Sequence, residues 1–362
     1  MSGNAMPYVR LGKSGLKVSK IILGCMSYGS PEWQALPEEQ GMEHIKAAYD
    51  GGINAFDTAN VYSDGLSEVI LGKAIKKYNL PREEIVVMTK VYFTMKRNAE
   101  TIITPKSPET YSYINQKGLS RKHIFDSVKQ SLERLQLDYI DVLQCHRFDL
   151  ETPIEETMQA LHDVVQAGYV RYIGMSSCWA WQCELFYSLS VVVTLNLCYH
   201  VLSVHAMQNY AIQNRLTSFI SMQNHYNLAY REEEREMIPT LKFFGVGCIP
   251  WSPLARGLLT RPVSQERQTT RAGSDQHFDG YEESSVRIIE RVEATALRRG
   301  VSMAQIALAW LMNKEGVTSP VVGTTSLDKL RELIDAVHIK LNDEEMKELE
   351  ELYKPQPTYG HM

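Results

Sequence analysis

Short apolar runs alternate with longer amphipathic stretches along the chain. The runs are IILGCM from Ile21, NAFDTA from Asn54, IVVMTKV from Ile85, IDVLQCH from Ile140, VRYIGMSS from Val170, FISMQNH from Phe219, GVGCIPWSPL from Gly245 and SPVVGTTS from Ser319. Each is rich in β-branched or aliphatic residues and short enough for a parallel strand buried on both faces. Helical patterns lie between them. PEEQGMEHIKAAYDGG starts at Pro37 and stops on Gly51 and Gly52, a helix-ending pair. SRKHIFDSVKQSLERLQ begins on Ser120, a good N-cap residue. EETMQALHDVVQAG, EEEREMIPTLKFFG and SLDKLRELIDAV continue the pattern. Eight strand-then-helix units predict an α/β chain folded as a (β/α)8 TIM barrel, a single domain over residues 1–362. A doubly wound sheet would call for G-x-G-x-x-G after the first strand, and none is there. Long segments run from Tyr92 to Leu119, from Leu258 to Tyr281 and beyond Leu352. The first two follow strands directly, which puts them at the C-terminal mouth, where barrel active sites form.

One connection breaks the pattern. LFYSLSVVVTLNLCYHVLSVH, from Leu185 to His205, carries no charge apart from two histidines. It is long enough for a membrane span. It lies, however, between the fifth and sixth strands of one barrel, which a bilayer cannot separate, so no span is expected. Without it, Trp179, Cys183, Met207 and Ala211 fall at i, i+4, i+7 and i+11 of one helix. The stretch reads as an insertion within the helix between strands 5 and 6, either genuine or retained intron sequence from a gene-model artefact. Its β-prone, uncharged composition is an aggregation hazard if exposed.

Composition narrows the partners. The chain has 362 residues, 44% hydrophobic and 22% charged, with a formal net charge of -5, an ordinary globular profile. Mild acidity without a long Lys/Arg run argues against nucleic acid. The six cysteines (Cys25, Cys145, Cys178, Cys183, Cys198 and Cys248) form no C-x-x-C, which suits a reducing compartment. With no apolar signal segment at the N-terminus, the expectation is a cytoplasmic protein whose oligomeric state is open. HVLSVH lacks the Glu and the spacing of a zinc helix, so no metal is expected. REEEREMIP from Arg231 reads as a solvated helix face.

A barrel places its catalytic groups at the C-terminal ends of strands. Those ends offer Asp57, Tyr62, Lys90 and His146. An acid, a phenol, an amine and an imidazole facing one pocket suit carbonyl reduction. A phenol has a pKa of about 10 in water, and a nearby ammonium is expected to lower it. The carboxylate would keep the lysine charged, and a neutral imidazole would donate a hydrogen bond to the carbonyl oxygen. The hydride must come from a cofactor. Met26, Tyr28, Tyr92, Arg147 and Phe148 follow strands nearby and suggest an aromatic or flat carbonyl substrate. Arg147 would attract an acidic or phenolic one. Cys145 should point opposite to His146 in its strand and reads as structural.

FDTANVYSDGLSE, VVMTKV, DVLQCHR, GYVRYIGMSS, SMQNHYN and PWSPLARG occur in that order. Together they resemble the aldo-keto reductase superfamily over nearly the whole chain, most closely its fungal aryl-alcohol-dehydrogenase-like branch. The resemblance implies an NADP-dependent enzyme that binds NADPH (NADP+) without a Rossmann fold, and a place in secondary metabolism. It assigns the tetrad to Asp57, Tyr62, Lys90 and His146, with Tyr62 as proton donor. It assigns Ser176, Ser177 and Gln223 to the nicotinamide carboxamide and Trp251 to the nicotinamide ring. Ser252, Leu254, Arg256 and Gly257 match its pyrophosphate loop. Gly323, Thr324, Thr325, Lys329 and Glu332 match the turn at the adenosine end, where a helix start would favour a 2′-phosphate. The chain departs from the family at Leu333, where many members carry Asn, and at Lys329, where many carry Arg or Gln. The partner implied is a small-molecule carbonyl substrate, with no nucleic acid and no membrane. A cofactor-binding regulatory subunit and a catalytically impaired barrel are the alternatives.

Overall fold

A computed structural model of the chain describes residues 5–96, 113–180, 204–265 and 284–359. The eight apolar runs all become strands. They are β3 (Ile22–Gly24), β4 (Ala55–Asp57), β5 (Val86–Val91), β6 (Ile140–Cys145), β7 (Val170–Ser176), β8 (Phe219–Gln223), β9 (Gly247–Cys248) and β10 (Val321–Val322). They form one parallel sheet in the order β10-β3-β4-β5-β6-β7-β8-β9. Two backbone bonds close it, from Thr318 N to Cys248 O at 2.8 Å and from Val321 N to Pro250 O at 2.8 Å. The fold is a (β/α)8 barrel.

The helices pack outside. They are α1 (Glu38–Asp50), α2 (Leu66–Lys77), α3 (Arg121–Leu135), α4 (Ile154–Gln166), α5 (Val204–Gln213), α6 (Met237–Phe244), α7 (Ser284–Arg299), α8 (Met303–Asn313), α9 (Leu327–Asp335) and α10 (Asp343–Glu350). Ser120 caps α3 through the His123 N–H, as its side chain suggests. Ser302 and Asn342 open α8 and α10 with reciprocal capping boxes to Gln305 and Glu345. Outward residues such as Phe56, Val87 and Leu143 join the inner faces of these helices in the main core.

The barrel bottom is plugged by a hairpin that periodicity did not reveal, β1 (Tyr8–Arg10) and β2 (Lys17–Ser19), paired antiparallel. Its Leu11 and Val18 bury against the inward residues Ile22, Ala55, Val86, Met88, Val142, Ile249 and Val321. Gly12 makes the fit possible. Its φ is +60°, and a Cβ there would lie 2.6 Å from Gly245 O and 2.7 Å from Ile220 O.

Among the described residues no helix is long and apolar enough to cross a membrane. Residues 181–203, most of the proposed insertion, lie outside the description, as do Cys183 and the middles of both long mouth segments. On α5, Met207 and Ala211 are buried as their spacing predicts, whereas Trp179 keeps 40% of its surface exposed. The acidic run after Arg231 is not a solvated face. Glu232 and Glu233 are buried in a short 3-10 turn. Glu232 accepts bonds from Tyr353 Oη at 2.6 Å and Gln356 N at 2.8 Å. The C-terminal tail docks over the run, and a charge pattern read locally cannot foresee that cover.

Gly12→Ala should cost about 3 kcal/mol, combining left-handed strain with overpacking against fixed backbone. Urea denaturation of the two proteins measures it.

Candidate active site

The strand faces that carry apolar residues at the bottom carry polar ones at the top. Period-two alternation places Ala55 and Asp57 inward on β4. It does the same for Val86, Met88 and Lys90 on β5, and for Val142, Gln144 and His146 along and just beyond β6. The polar members converge. Lys90 is 1% exposed and donates to Asp57 Oδ2 at 2.5 Å, to Thr58 O at 2.9 Å and to Tyr62 Oη at 3.4 Å. Asp57 Oδ1 accepts from Gln144 Nε2 at 2.8 Å and Gln223 Nε2 at 3.0 Å. The His146 ring stands edge-on to Tyr62, with centroids 5.8 Å apart. The structure thus gathers all four residues predicted as the tetrad.

Tyr62 opens a tight turn in which Ser63 (φ 49°) and Asp64 (φ 51°) are left-handed, a strained conformation for residues other than glycine. Tertiary contacts hold that turn. Ser63 Oγ accepts from Ser30 N at 3.2 Å, and Asp64 Oδ1 accepts from Lys96 N at 3.2 Å.

Electrostatics sets the protonation states. Burial alone would lower the Lys90 pKa, but Asp57 and then Tyr62 overcome it and hold it above the ordinary lysine value. Lys90 is therefore an ammonium at neutral pH. For Tyr62 the expected lowering is corrected. Burial pushes the phenol above its ordinary value, while Lys90 and Arg147 pull it only part of the way back. The consequence is a phenol that keeps its proton. Burial, followed by Lys90 and Arg147, drives His146 well below the ordinary histidine value, so its imidazole is neutral. Its Nδ1 is buried without a hydrogen-bond partner.

The remaining predicted residues divide by location. Ser176 Oγ donates to Gln223 O at 2.8 Å, and Ser177 Oγ accepts from the Trp251 indole N–H at 3.0 Å. Trp251 stacks on His225 at 4.3 Å, and His225 stacks on Tyr230 at 4.4 Å. Arg256 lies 5.9 Å from the Trp251 ring. In its loop Ser252, Arg256 and Gly257 take positive φ, while Leu254 does not. Gly323, Thr325 and Lys329 are exposed around the start of α9 and Thr324 is half-buried. Ser326 caps that helix by accepting from Lys329 N. Glu332 is tied instead to the Ser302 hydroxyl of α8, and Leu333 is buried in the main core.

Of the residues predicted to line the substrate side, Met26 is exposed just past β3, and Tyr92 packs edge-on to Phe93 at 5.1 Å. Phe148 is buried and Arg147 bonds to His146 O at 2.6 Å. Tyr28, the fifth residue of that set, is turned away from solvent. It is fully buried in the main core, edge-on to His44 of α1. Cys145 also lies in that core, its thiol pKa raised by burial. The four described cysteines, Cys25, Cys145, Cys178 and Cys248, are buried and free of disulfides.

Sequence reasoning missed Gln144, His225, Tyr230 and Tyr359. Gln144 had a signal: it is a polar residue two positions before His146 in an apolar strand, hence on the same inward face. Tyr359 had none. It arrives with the docked tail, where its N–H donates to Tyr230 Oη at 2.9 Å and its ring lies 5.8 Å from Arg256.

Residues 20–354 match the Aldo/keto reductase family. The chain belongs to the aldo-keto reductase family. A versiconal hemiacetal acetate reductase of Aspergillus parasiticus is 47% identical, over 98% of this chain and 99% of that protein. An aldo-keto reductase of Alternaria alternata is 45% identical, over 98% of this chain and 93% of that protein. A candidate aryl-alcohol dehydrogenase of Schizosaccharomyces pombe is 45% identical, over 98% of each chain. The family is one of oxidoreductases, and this aldo-keto reductase matches its relatives along nearly their entire lengths.

Asp57→Asn should remove the charge that compensates Lys90 and lower stability by roughly 3–5 kcal/mol at pH 7. The folded pKa of Lys90 is raised, so the pair contributes in full below the unfolded lysine value. That contribution is lost as pH rises through the folded one. Denaturant titrations should show a deficit that is full at neutral pH and shrinks in strongly alkaline buffer.

Proposed function

We propose that this protein reduces an aldehyde or ketone, most fittingly an aromatic one, to the alcohol with NADPH, and that Tyr62 is the proton donor. The observation carrying this reading is the Lys90 ammonium, anchored on buried Asp57 and directed at Tyr62 Oη 3.4 Å away. A protonated phenol beside a fixed ammonium is the acid that a developing alkoxide needs. The names of the relatives, which include reductases and a candidate aryl-alcohol dehydrogenase, support the same reaction class.

The residues present fit a nicotinamide dinucleotide. Trp251 offers an indole face for a ring, with its N–H pinned by Ser177 and its back on His225. Arg256 offers a guanidinium for the pyrophosphate. The exposed Lys329 at the start of α9 favours the phosphate that distinguishes NADPH from NADH. Gln223 keeps its amide nitrogen on Asp57 and Gln144, so its Oε1 is the end available to a carboxamide. Glu332, held by Ser302, contributes to the shape of that turn.

When bound, the reduced nicotinamide supplies the hydride. Tyr62 gives its proton to the carbonyl oxygen, and Lys90 stabilises the phenolate left behind. Neutral His146 orients the same oxygen through a ring N–H. Phe93, whose ring meets His146 edge-on at 5.0 Å, holds that imidazole in place and shields it from water. The four described cysteines, all buried and without disulfides, favour a cytoplasmic setting.

Tyr62→Phe should lower kcat by roughly 10²–10⁴-fold while NADPH binding, followed by cofactor fluorescence, is retained. Undiminished turnover in that variant would refute the assignment. Tyr62 is raised, Lys90 is raised and His146 is depressed. The productive protonation states therefore coexist across the ordinary histidine range near pH 6.5. Measured kcat/KM should show no titration step there.

A further inference from the structure

Arg147 follows His146 directly, just past the mouth end of β6. It is half-buried. Its Nη1 donates to His146 O at 2.6 Å, and its guanidinium lies 5.7 Å from the centre of the Phe93 ring. Among the described residues no ion pair joins it to a carboxylate. Asp149, two residues on, is committed to Leu119 N, Glu151 N and Thr152 Oγ1. Burial lowers the Arg147 pKa, and the groups that oppose burial most are Tyr62, Tyr359, Cys178 and Tyr92. Those are three phenols and a thiol. A guanidinium stays charged throughout the neutral range.

The charges around the tetrad therefore do not balance. Asp57 offsets Lys90 at 2.5 Å, and Gln144 and Gln223 take its other oxygen. No described carboxylate does the same for Arg147, whose field reaches Tyr62 and His146 and adds to that of Lys90. A partly desolvated charge without a counter-ion costs stability. A guanidinium carries five N–H donors in a planar fork that matches the two oxygens of a carboxylate. Arg256 stands elsewhere, over Trp251 on the cofactor side, and its Nη2 donates to Tyr359 Oη at 3.5 Å.

We propose that Arg147 anchors a carboxylate of the substrate, so that the preferred compounds are aromatic aldehydes or ketones that also carry an acid group. The carboxylate pairs with the guanidinium while the carbonyl oxygen meets Tyr62 and His146. The assignment rests on the carbonyl-reductase reading above and adds the substrate class.

The test uses the full chain and NADPH with 3- and 4-carboxybenzaldehyde, each against its own methyl ester. The ester keeps the ring, the aldehyde and an electron-withdrawing group but removes the charge. For at least one isomer the wild type should favour the acid about ten-fold in kcat/KM, mainly through KM. Arg147→Met and Arg147→Gln should each abolish that preference. Arg147→Lys, which keeps the charge without the fork, should recover part of it. Each ratio is taken within one protein, so a general loss of activity cancels. A wild type that favours neither acid, or a preference that survives in either neutral variant, overturns the anchor. An unchanged ratio with weakened NADPH binding would give the charge to the cofactor and overturns it too. If the wild type reduces none of these aldehydes, the reductase reading is what fails. Calorimetry with 3- and 4-(hydroxymethyl)benzoate then decides the anchor by itself. Binding to the wild type that is weakened in both neutral variants supports it, and no binding, or equal binding by all three proteins, overturns it.

Discussion

The buried pair of Lys90 and Asp57 organises this molecule. An ammonium has three donors, and here every one is directed. Two are used inside the barrel, on Asp57 Oδ2 and Thr58 O, and the third is left for Tyr62 Oη at 3.4 Å. Asp57 is equally committed, since Gln144 and Gln223 occupy its other oxygen. Placing two charges in a low-dielectric interior is expensive unless their hydrogen bonds are satisfied. Satisfying them fixes β4, β5, β6 and β8 relative to one another at the mouth. The same saturation that makes the pair tolerable leaves the lysine one direction in which to act.

The arrangement depends on a division along the barrel axis. Inward positions at the bottom are apolar, closed by Leu11 and Val18 of the hairpin. Inward positions two or four residues further along the same strands are Asp57, Lys90 and Gln144. A strand supplies both layers because alternate residues share a face. Burial in the lower layer contributes roughly 25 cal/mol per Å² of apolar surface, which offsets the cost of the polar layer above it. The low-dielectric surroundings then sharpen the electrostatics. They keep the proton on Tyr62 and remove it from His146, against the simpler expectation that a neighbouring ammonium would dominate the phenol.

Much of this was legible in the sequence because it is written in local terms. Eight aliphatic runs with helical spacers between them announce a barrel, and the polar residues closing those runs announce the site. Gln144 was legible as well, through the inward face it shares with His146. What could not be read depends on contacts between distant segments. Tyr28 looks like a mouth residue by position, yet its ring turns into the core against His44. The acidic run after Arg231 looks solvated by composition. It is covered because Tyr353 and Gln356 return across more than a hundred residues to bond Glu232.

That return links the tail to the cofactor side of the mouth. Gln356 Nε2 donates to Ala229 O at 2.7 Å, and Tyr359 N to Tyr230 Oη at 2.9 Å. Tyr230 backs His225, and His225 backs Trp251. Stacked rings at such spacings resist displacement of any one member, because sliding one exposes the faces of two. The indole is held from behind by that stack and at its edge by Ser177. On the opposite side of the mouth, Phe93 supports His146 edge-on. The groups assigned to chemistry are therefore braced laterally by rings and from below by the ion pair. Their geometry rests on the strands beneath them, on Phe93 beside His146 and on the tail that docks against Tyr230.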